Sequence, residues 1–102
     1  DLAQRRLEEA AELWTRLAEP VAAADAHSRL SRLHRRTGDY LQALREEQEA
    51  LRLRRLQTPQ PSLWRSILNI AVLYEQLEQS DEARRRYAEA LDEAERSATQ
   101  AE

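Results

Sequence analysis

Residues 30–51 read LSRLHRRTGDYLQALREEQEAL, and residues 70–91 read IAVLYEQLEQSDEARRRYAEAL. When the two stretches are superimposed at an offset of 40, small and apolar residues coincide, whereas most of the charged residues between them do not. The coinciding pairs are Leu30 and Ile70, Ser31 and Ala71, Leu33 and Leu73, Ala43 and Ala83, Ala50 and Ala90, and Leu51 and Leu91. Ala3, Ala10 and Ala11 continue this register toward the start of the chain. Such a fixed period predicts a repeat architecture, in which each unit packs against the next.

The repeated stretches have the periodicity of amphipathic helices. Apolar positions 67, 70, 71 and 74 have the spacing i, i+3, i+4, i+7, which places them on one helical face. Prolines and turn residues predict helices at 1–18, 20–37, 39–57, 61–77 and 80–97, and residues 98–102 are expected to fray. We therefore predict one all-α domain of about five helices, with full repeats at 20–57 and 61–97. Residues 1–18 match the second helix of a unit, so the partner helix is expected before residue 1, in a longer chain.

The turn between the two helices of the second unit contains the only glycine of the chain, Gly38. Glycine adopts the left-handed backbone conformation that ends many helices without the steric cost of a Cβ atom. Asp39 is expected to cap the next helix, and Gln42 occupies the N3 position of a capping box.

Composition excludes several classes of protein and of site. The chain has 102 residues with no Cys, so thiolate catalysis, disulfides and cysteine-bound metals are excluded. It has no apolar run of the ~20 residues that a membrane span needs. All 16 basic residues are arginines, yet the net charge is −3. An isoelectric point near 5.5 argues against a nucleic-acid partner, although basic runs at 52–55 and 84–86 keep that class as a minor alternative.

The helix pairs resemble tetratricopeptide repeats, whose unit is a helix–turn–helix with small residues at the packing points. The resemblance rests on Leu30-Ser31, Gly38-Asp39-Tyr40, Ala43-Leu44 and Ala50-Leu51 in the second unit, and on Asn69-Ile70-Ala71, Tyr74, Ala83, Tyr87 and Ala90-Leu91 in the third. The long unit is similar to the 40-to-42-residue variety of kinesin light chains and bacterial signalling proteins. The chain departs from the family at Glu78, which replaces the turn glycine, at His34, which replaces a tyrosine, and at Glu47, which replaces an aromatic residue.

The resemblance implies a right-handed α-solenoid of antiparallel helical hairpins, in which the first helices of successive units line a concave groove. The groove would bind a protein or peptide partner, as the sensing or scaffolding part of a larger signalling protein. The predicted binding residues are Arg29, Arg32, Arg36, Arg65, Asn69, Val72 and Gln76, with Asp25, Ser28, Arg35, Leu68 and Glu75 at further groove-facing positions. Arginine suits an acidic partner because its planar fork binds two oxygens, and the Asn69 amide can both donate to and accept from a peptide backbone. The alternative is that these side chains form an ordinary solvated surface.

Self-association is the rival function. The end units of a solenoid expose apolar surface unless they carry polar caps, and the first helix contains Leu7, Leu13, Trp14 and Leu17. Two copies would cover such ends in a homodimer. Alternatively, Trp14 packs under the helix at 20–37.

Catalytic and metal sites are not indicated. His27 and His34 lie seven residues apart on one helix, about 10 Å along its axis, which is too far to share one ion. Both are expected to have packing roles. The acidic clusters at 8–12 and 46–49 are expected to face solvent. We therefore predict no enzymatic activity, no metal and no cofactor.

Overall fold

A computed structural model of the chain describes residues 1–16 and 19–100. Within these residues it contains five helices and no strand: α1 (Leu2–Arg16), α2 (Pro20–Arg36), α3 (Tyr40–Arg55), α4 (Trp64–Gln76) and α5 (Ser80–Gln100). The all-helical class and the number of helices agree with the sequence prediction. Leu17, one of the predicted self-association residues, lies outside the described residues.

Two helix boundaries differ from the prediction by three residues, and the others in the described residues differ by two or fewer. Helix α4 begins at Trp64 rather than at residue 61; no side chain caps its first turn, and the Ser62 hydroxyl lies 3.0 Å from the Ser97 hydroxyl of α5. Residue Leu63, which has no capping side chain, precedes the helix. Helix α5 continues through residues 98–100, where a frayed tail was expected, since no proline or glycine interrupts it after residue 97.

The helices pack in chain order. Within the described residues, main-chain contacts join α1 to α2, α2 to α3, α3 to α4 and α4 to α5, whereas non-consecutive helices stay apart. The Cα atoms fill a slab of 39 × 34 × 16 Å. Because helix axes pack 8–10 Å apart and each Cα cylinder has a radius near 2.3 Å, a thickness of 16 Å corresponds to two layers of helices.

The apolar core is divided into two clusters. The larger joins α3, α4 and α5, and its members are Ala43, Leu44, Leu51, Leu63, Ile67, Ile70, Leu73 and Ala90. The smaller joins Ala23 and Ala24 of α2 to Leu53 of α3, and Trp14 of α1 packs against it. Alanines at these contacts favour the helical conformation and let helices approach closely. Trp14 therefore packs under α2, as the alternative interpretation of this residue proposed.

The two hairpin turns have the same hydrogen bonds at an offset of 40 residues. Asp39 N donates to His34 O, and Gln79 N donates to Tyr74 O, both at 2.9 Å. Gly38 N and Glu78 N each donate to the carbonyl three residues earlier, which completes a Schellman motif at both helix ends. Gly38 has φ of 85° and Glu78 has φ of 62°, so both occupy the left-handed region. The sequence period is therefore also a period of the backbone.

Of the two hydrogen bonds of the capping box predicted at the start of α3, one is present. Asp39 Oδ1 accepts a hydrogen bond from Gln42 N at 3.3 Å, as expected for an N-cap. The reciprocal bond of a capping box is missing in this part of the chain, because Asp39 N donates to His34 O rather than to the Gln42 side chain, and Gln42 Nε2 donates to Glu46 Oε1. Glu46 also lies 2.7 Å from His27 Nδ1, so Gln42 and His27 converge on one carboxylate.

Candidate functional site

A polar cleft separates α2 from α4, and α3 forms its floor. Its volume is about 360 Å³. The cleft is lined by Ser28, Ser31, Arg32 and Arg35 of α2, by Glu47 and Arg54 of α3, and by Ser62, Arg65, Ser66, Asn69 and Leu73 of α4 and the loop before it. The first helices of the two complete hairpins thus face each other across this cleft.

Arg54 is the centre of the hydrogen-bond network on the floor. Its Nη1 donates to Ser28 Oγ of α2 at 2.9 Å and to Ser66 Oγ of α4 at 2.7 Å. Its Nη2 donates to Asp25 Oδ1 at 3.2 Å, and Nη1 lies 3.7 Å from Glu47 Oε1. One guanidinium group therefore ties α2, α3 and α4 together, and its charge is balanced by two carboxylates.

Glu47 is a buried acid beneath the cleft. Only 2% of its side chain is exposed, and Ser28 Oγ donates to its Oε1 at 3.4 Å. Burial raises the pKa of the Glu47 carboxyl, because the charged form loses its hydration; Arg54 and hydrogen bonds from Ser28, Ser66 and Asn69 lower it by a smaller amount. The expectation that residues 46–49 face solvent is thus wrong for Glu47.

The repeat register contains the signal that reveals this burial. At an offset of 40 residues, Glu47 corresponds to Leu7 in the preceding unit and to Tyr87 in the following unit. Arg54 corresponds in the same way to Trp14 and Ala94. Apolar side chains thus occupy the equivalent positions in the flanking units. A carboxylate at an apolar repeat position is a buried charge, which needs a partner, and Arg54 lies seven residues further on the same helical face.

Three arginines and an asparagine surround the opening of the cleft. Arg32, Arg35, Arg65 and Asn69 are all exposed. Among the described residues, no carboxylate lies within salt-bridge distance of Arg32, Arg35 or Arg65. The Arg65 guanidinium lies 5.2 Å from the centre of the Trp64 ring, in a cation–π contact. The opening is therefore strongly cationic.

The structure brings some of the predicted groove residues together and leaves others apart. Arg32, Arg65 and Asn69 line the cleft, as do Arg35 and Ser28. Arg29, Arg36, Val72 and Gln76 do not line it; Arg29, Arg36 and Gln76 are exposed and Val72 is half-buried. Six residues that line the cleft were not among the predicted groove positions: Ser31, Glu47, Arg54, Ser62, Ser66 and Leu73.

The self-association candidates on α1 differ in accessibility. Leu13 is 47% exposed, whereas Leu7 and Trp14 are partly buried. The two histidines also occupy separate environments, since His27 contacts Glu46 of α3 and His34 is buried at the end of α2. Across residues 1–16 and 19–100, no group of three or more His, Asp or Glu side chains has a geometry that would hold a metal ion.

Neither protein-family models nor curated protein sequences match this chain. Of the helices that the structure describes, none is both long and apolar enough to span a membrane.

Proposed function

We propose that this chain is a protein–protein interaction module of the tetratricopeptide type, a right-handed solenoid that binds an acidic peptide segment in the cleft between α2 and α4. The observation that carries the proposal is the convergence of Arg32, Arg35 and Arg65 with Asn69 on one cleft. These arginines come from two helices, and no carboxylate of the described chain pairs with them. A ligand that brings its own negative charge would complete this site.

The repeated backbone supports the solenoid part of the proposal. The turns at 37–39 and 77–79 share their hydrogen bonds, and main-chain packing joins only consecutive helices of the described chain. A closed bundle would bring non-consecutive helices together, whereas a solenoid stacks each hairpin on the next. An open array leaves the first helices of adjacent units free to form a binding surface.

The charge distribution supports an acidic partner. Helix α2 carries four arginines and one aspartate, a formal charge of +3, within a chain whose net charge is −3. Elsewhere on the surface, arginines pair with acids three residues earlier, as Arg52 does with Glu49 and Arg96 with Glu93. Arg32 has no acid three or four residues away in either direction. Helix α2 thus presents uncompensated positive charge, which attracts and orients an anionic segment.

Asn69 supports recognition of a main chain. It is exposed on α4 and lines the cleft beside the arginines. Asparagine is disfavoured within helices, and here its side chain also hydrogen-bonds the buried Glu47 carboxyl, whose pKa it lowers. Its amide supplies a donor and an acceptor, which are the two groups that an extended peptide needs.

The test uses fluorescein-labelled nine-residue peptide pools, one rich in Asp and Glu and one rich in Lys, with binding followed by fluorescence polarisation. The double variant Arg32→Ala/Arg65→Ala removes two charges from the cleft, and Arg29→Ala/Arg36→Ala removes two charges from exposed positions outside it. Because hydrogen bonds to charged groups contribute about 1.5–3 kcal/mol each, we expect the cleft variant to bind the acidic pool at least tenfold more weakly. The control variant should stay within about threefold of the unaltered protein.

Equal losses in both double variants would contradict the proposal, because they would indicate general charge attraction without a defined site. Preference for the Lys-rich pool would contradict it as well. Circular dichroism of both variants verifies that the helices remain folded.

A further inference from the structure

The cleft carries more positive charge than a carboxylate would balance. Four of its lining residues are arginines and one is a glutamate. On the floor, Arg54 is already engaged by Glu47 and Asp25. This leaves Arg32, Arg35 and Arg65, each on the opening and each without a carboxylate partner among the described residues. Three guanidinium groups that share one cleft repel one another until an anion neutralises them.

We propose that the cleft binds a phosphate monoester, carried by a phosphorylated serine or threonine of the bound segment, between Arg32, Arg35 and Arg65. The proposal rests on the proposed function, since the phosphate belongs to the peptide. A phosphoserine has a charge of about −1.5 to −2 at neutral pH and three strong acceptor oxygens, whereas a carboxylate has a charge of −1 and two oxygens. A single carboxylate satisfies one bidentate arginine, so the dianion matches this cluster better.

Local structure positions these arginines for such a ligand. Arg32 and Arg35 are separated by three residues on α2, so they are neighbours on the helix surface. Arg65 approaches from α4, where its guanidinium is held over the Trp64 ring at 5.2 Å. A phosphate between the two helices would accept from both sides.

Neutral side chains in the cleft also carry hydrogen-bond donors. The hydroxyls of Ser28 and Ser66 lie within hydrogen-bond distance of Arg54, which fixes the floor. Asn69 is exposed on the opening beside Arg65, one helical turn away at i+4. Its side-chain NH2 group has two N–H donors, so the hydrogen bond to Glu47 leaves a second donor for a phosphate oxygen or the adjacent peptide carbonyl. The volume of about 360 Å³ accommodates a phosphorylated side chain together with part of its backbone.

The experiment compares three nine-residue pools that differ only at the central position, which is Ser, phosphoserine or Glu, with uncharged flanking residues. We expect the phosphoserine pool to bind at least tenfold more tightly than either of the others. Arg32→Ala/Arg65→Ala should abolish this preference, and Arg29→Ala/Arg36→Ala should retain it. Free O-phosphoserine, titrated into ¹⁵N-labelled protein, should shift the resonances of Arg32, Arg65 and Asn69.

The remaining outcomes distinguish the phosphate inference from the proposed peptide-binding function. Equal binding of the Glu and phosphoserine pools overturns the phosphate inference and leaves an acidic-peptide module. Shifts with free O-phosphoserine at the cleft, but no binding of any pool, overturn the peptide function and leave a phosphate site. Tighter binding of a single-stranded oligonucleotide than of the phosphoserine pool, with a steep dependence on salt, overturns the inference in favour of nucleic acid.

Discussion

At the scale of single residues, the Glu47–Arg54 pair is the least expected feature of the molecule. Replacing a buried ion pair by apolar residues is often neutral or stabilising, whereas removing one partner is costly. The flanking units have apolar residues at both positions, which are Leu7 and Trp14 before and Tyr87 and Ala94 after. The middle unit therefore carries a polar floor where its neighbours carry apolar packing, and the cleft lies directly above that floor.

Glu47 makes the stability of the protein depend on pH. Its pKa is raised in the folded state, chiefly by burial, so between the unfolded value of about 4.5 and the raised value the folded protein binds more protons than the unfolded chain. The free energy of unfolding must then fall as pH rises through that interval. Glu47→Gln lacks this titration, so we expect its stability relative to the unaltered protein to increase with pH. Urea unfolding followed by circular dichroism between pH 4 and pH 8 measures the difference.

The control for this prediction is Glu9→Gln, which removes the same charge from an exposed position on α1. The lowered pKa of Glu49, which arises mainly from its hydrogen bond with Arg52, is common to all three proteins and cancels in the comparison. If the curves for Glu47→Gln and the unaltered protein stay parallel across the range, the carboxylate of Glu47 is adequately stabilised by Arg54, and the predicted dependence is wrong.

At the scale of helices and turns, the two hairpin connections provide an internal comparison. They share their hydrogen bonds, yet Gly38 occupies the left-handed position in one and Glu78 in the other. A left-handed conformation costs a residue with a side chain roughly 1–2 kcal/mol, and glycine does not incur that cost. The second turn therefore forms although its residue Glu78 disfavours the left-handed conformation, because the packing of α4 on α5 determines where the chain must reverse.

Glu78→Gly should stabilise the protein. The relief of the left-handed conformation is offset in part by the greater entropy of glycine in the unfolded chain, which leaves about 0.5–1 kcal/mol, or a rise in Tm of about 4 °C for a domain of this size. Glu78→Ala serves as the control, since it removes the carboxylate and keeps the Cβ atom; it should give no comparable gain. Thermal unfolding at 222 nm measures all three proteins.

The reciprocal change tests the same argument. A Cβ atom added at Gly38 would meet no atom within 4 Å, so Gly38→Ala creates no clash and isolates the backbone cost. We expect a loss of about 1 kcal/mol. A stabilising effect of Gly38→Ala, or equal effects of Glu78→Gly and Glu78→Ala, would contradict the assignment of strain to this backbone position.

The helices and turns show which features of the structure can be predicted from the sequence and which cannot. Periodicity and turn residues located five helices, because both are local properties of the chain. The start of α4 differs by three residues from the prediction, since prolines at 59 and 61 mark a break but α4 has no side-chain cap that would define its first residue. Glu47 was assigned to the surface because its neighbours Glu46 and Glu49 are acidic, and local composition outweighed the repeat register. Arg32, Arg65 and Asn69 could be identified because the resemblance to tetratricopeptide repeats implies that the first helices of successive units line one groove, and α2 and α4 both line the cleft.

At the scale of the whole molecule, the two end helices lack a neighbour on one side. In the part of the chain that the structure describes, the main chain of α1 approaches only α2, and the main chain of α5 approaches only α4. Leu13 and Leu91 lie on these helices and are 47% and 60% exposed. Their repeat equivalents, Leu53 and Leu51, are only 7% and 6% exposed, because each is covered by an adjacent helix. The ends therefore present apolar positions that elsewhere in the chain are buried.

Self-association through these ends is the whole-molecule prediction. We expect the average mass from light scattering to equal 11.9 kDa at low concentration and to rise over a hundredfold increase, because covering Leu13 and Leu91 removes apolar surface from water. Leu13→Glu and Leu91→Glu should each reduce the rise if the ends meet head to tail. A symmetric dimer would respond to one of them only.

Leu41→Glu is the matched control, since Leu41 is 50% exposed but lies on α3, an internal helix. Trp14 is unsuitable for this test, because it packs against Ala23 and Ala24, and its replacement would lower stability. A mass that stays at 11.9 kDa throughout would contradict association through the ends. It would leave the cationic cleft as the principal candidate for an interaction surface, since Arg32 and Arg65 lie between the hairpins rather than at either end.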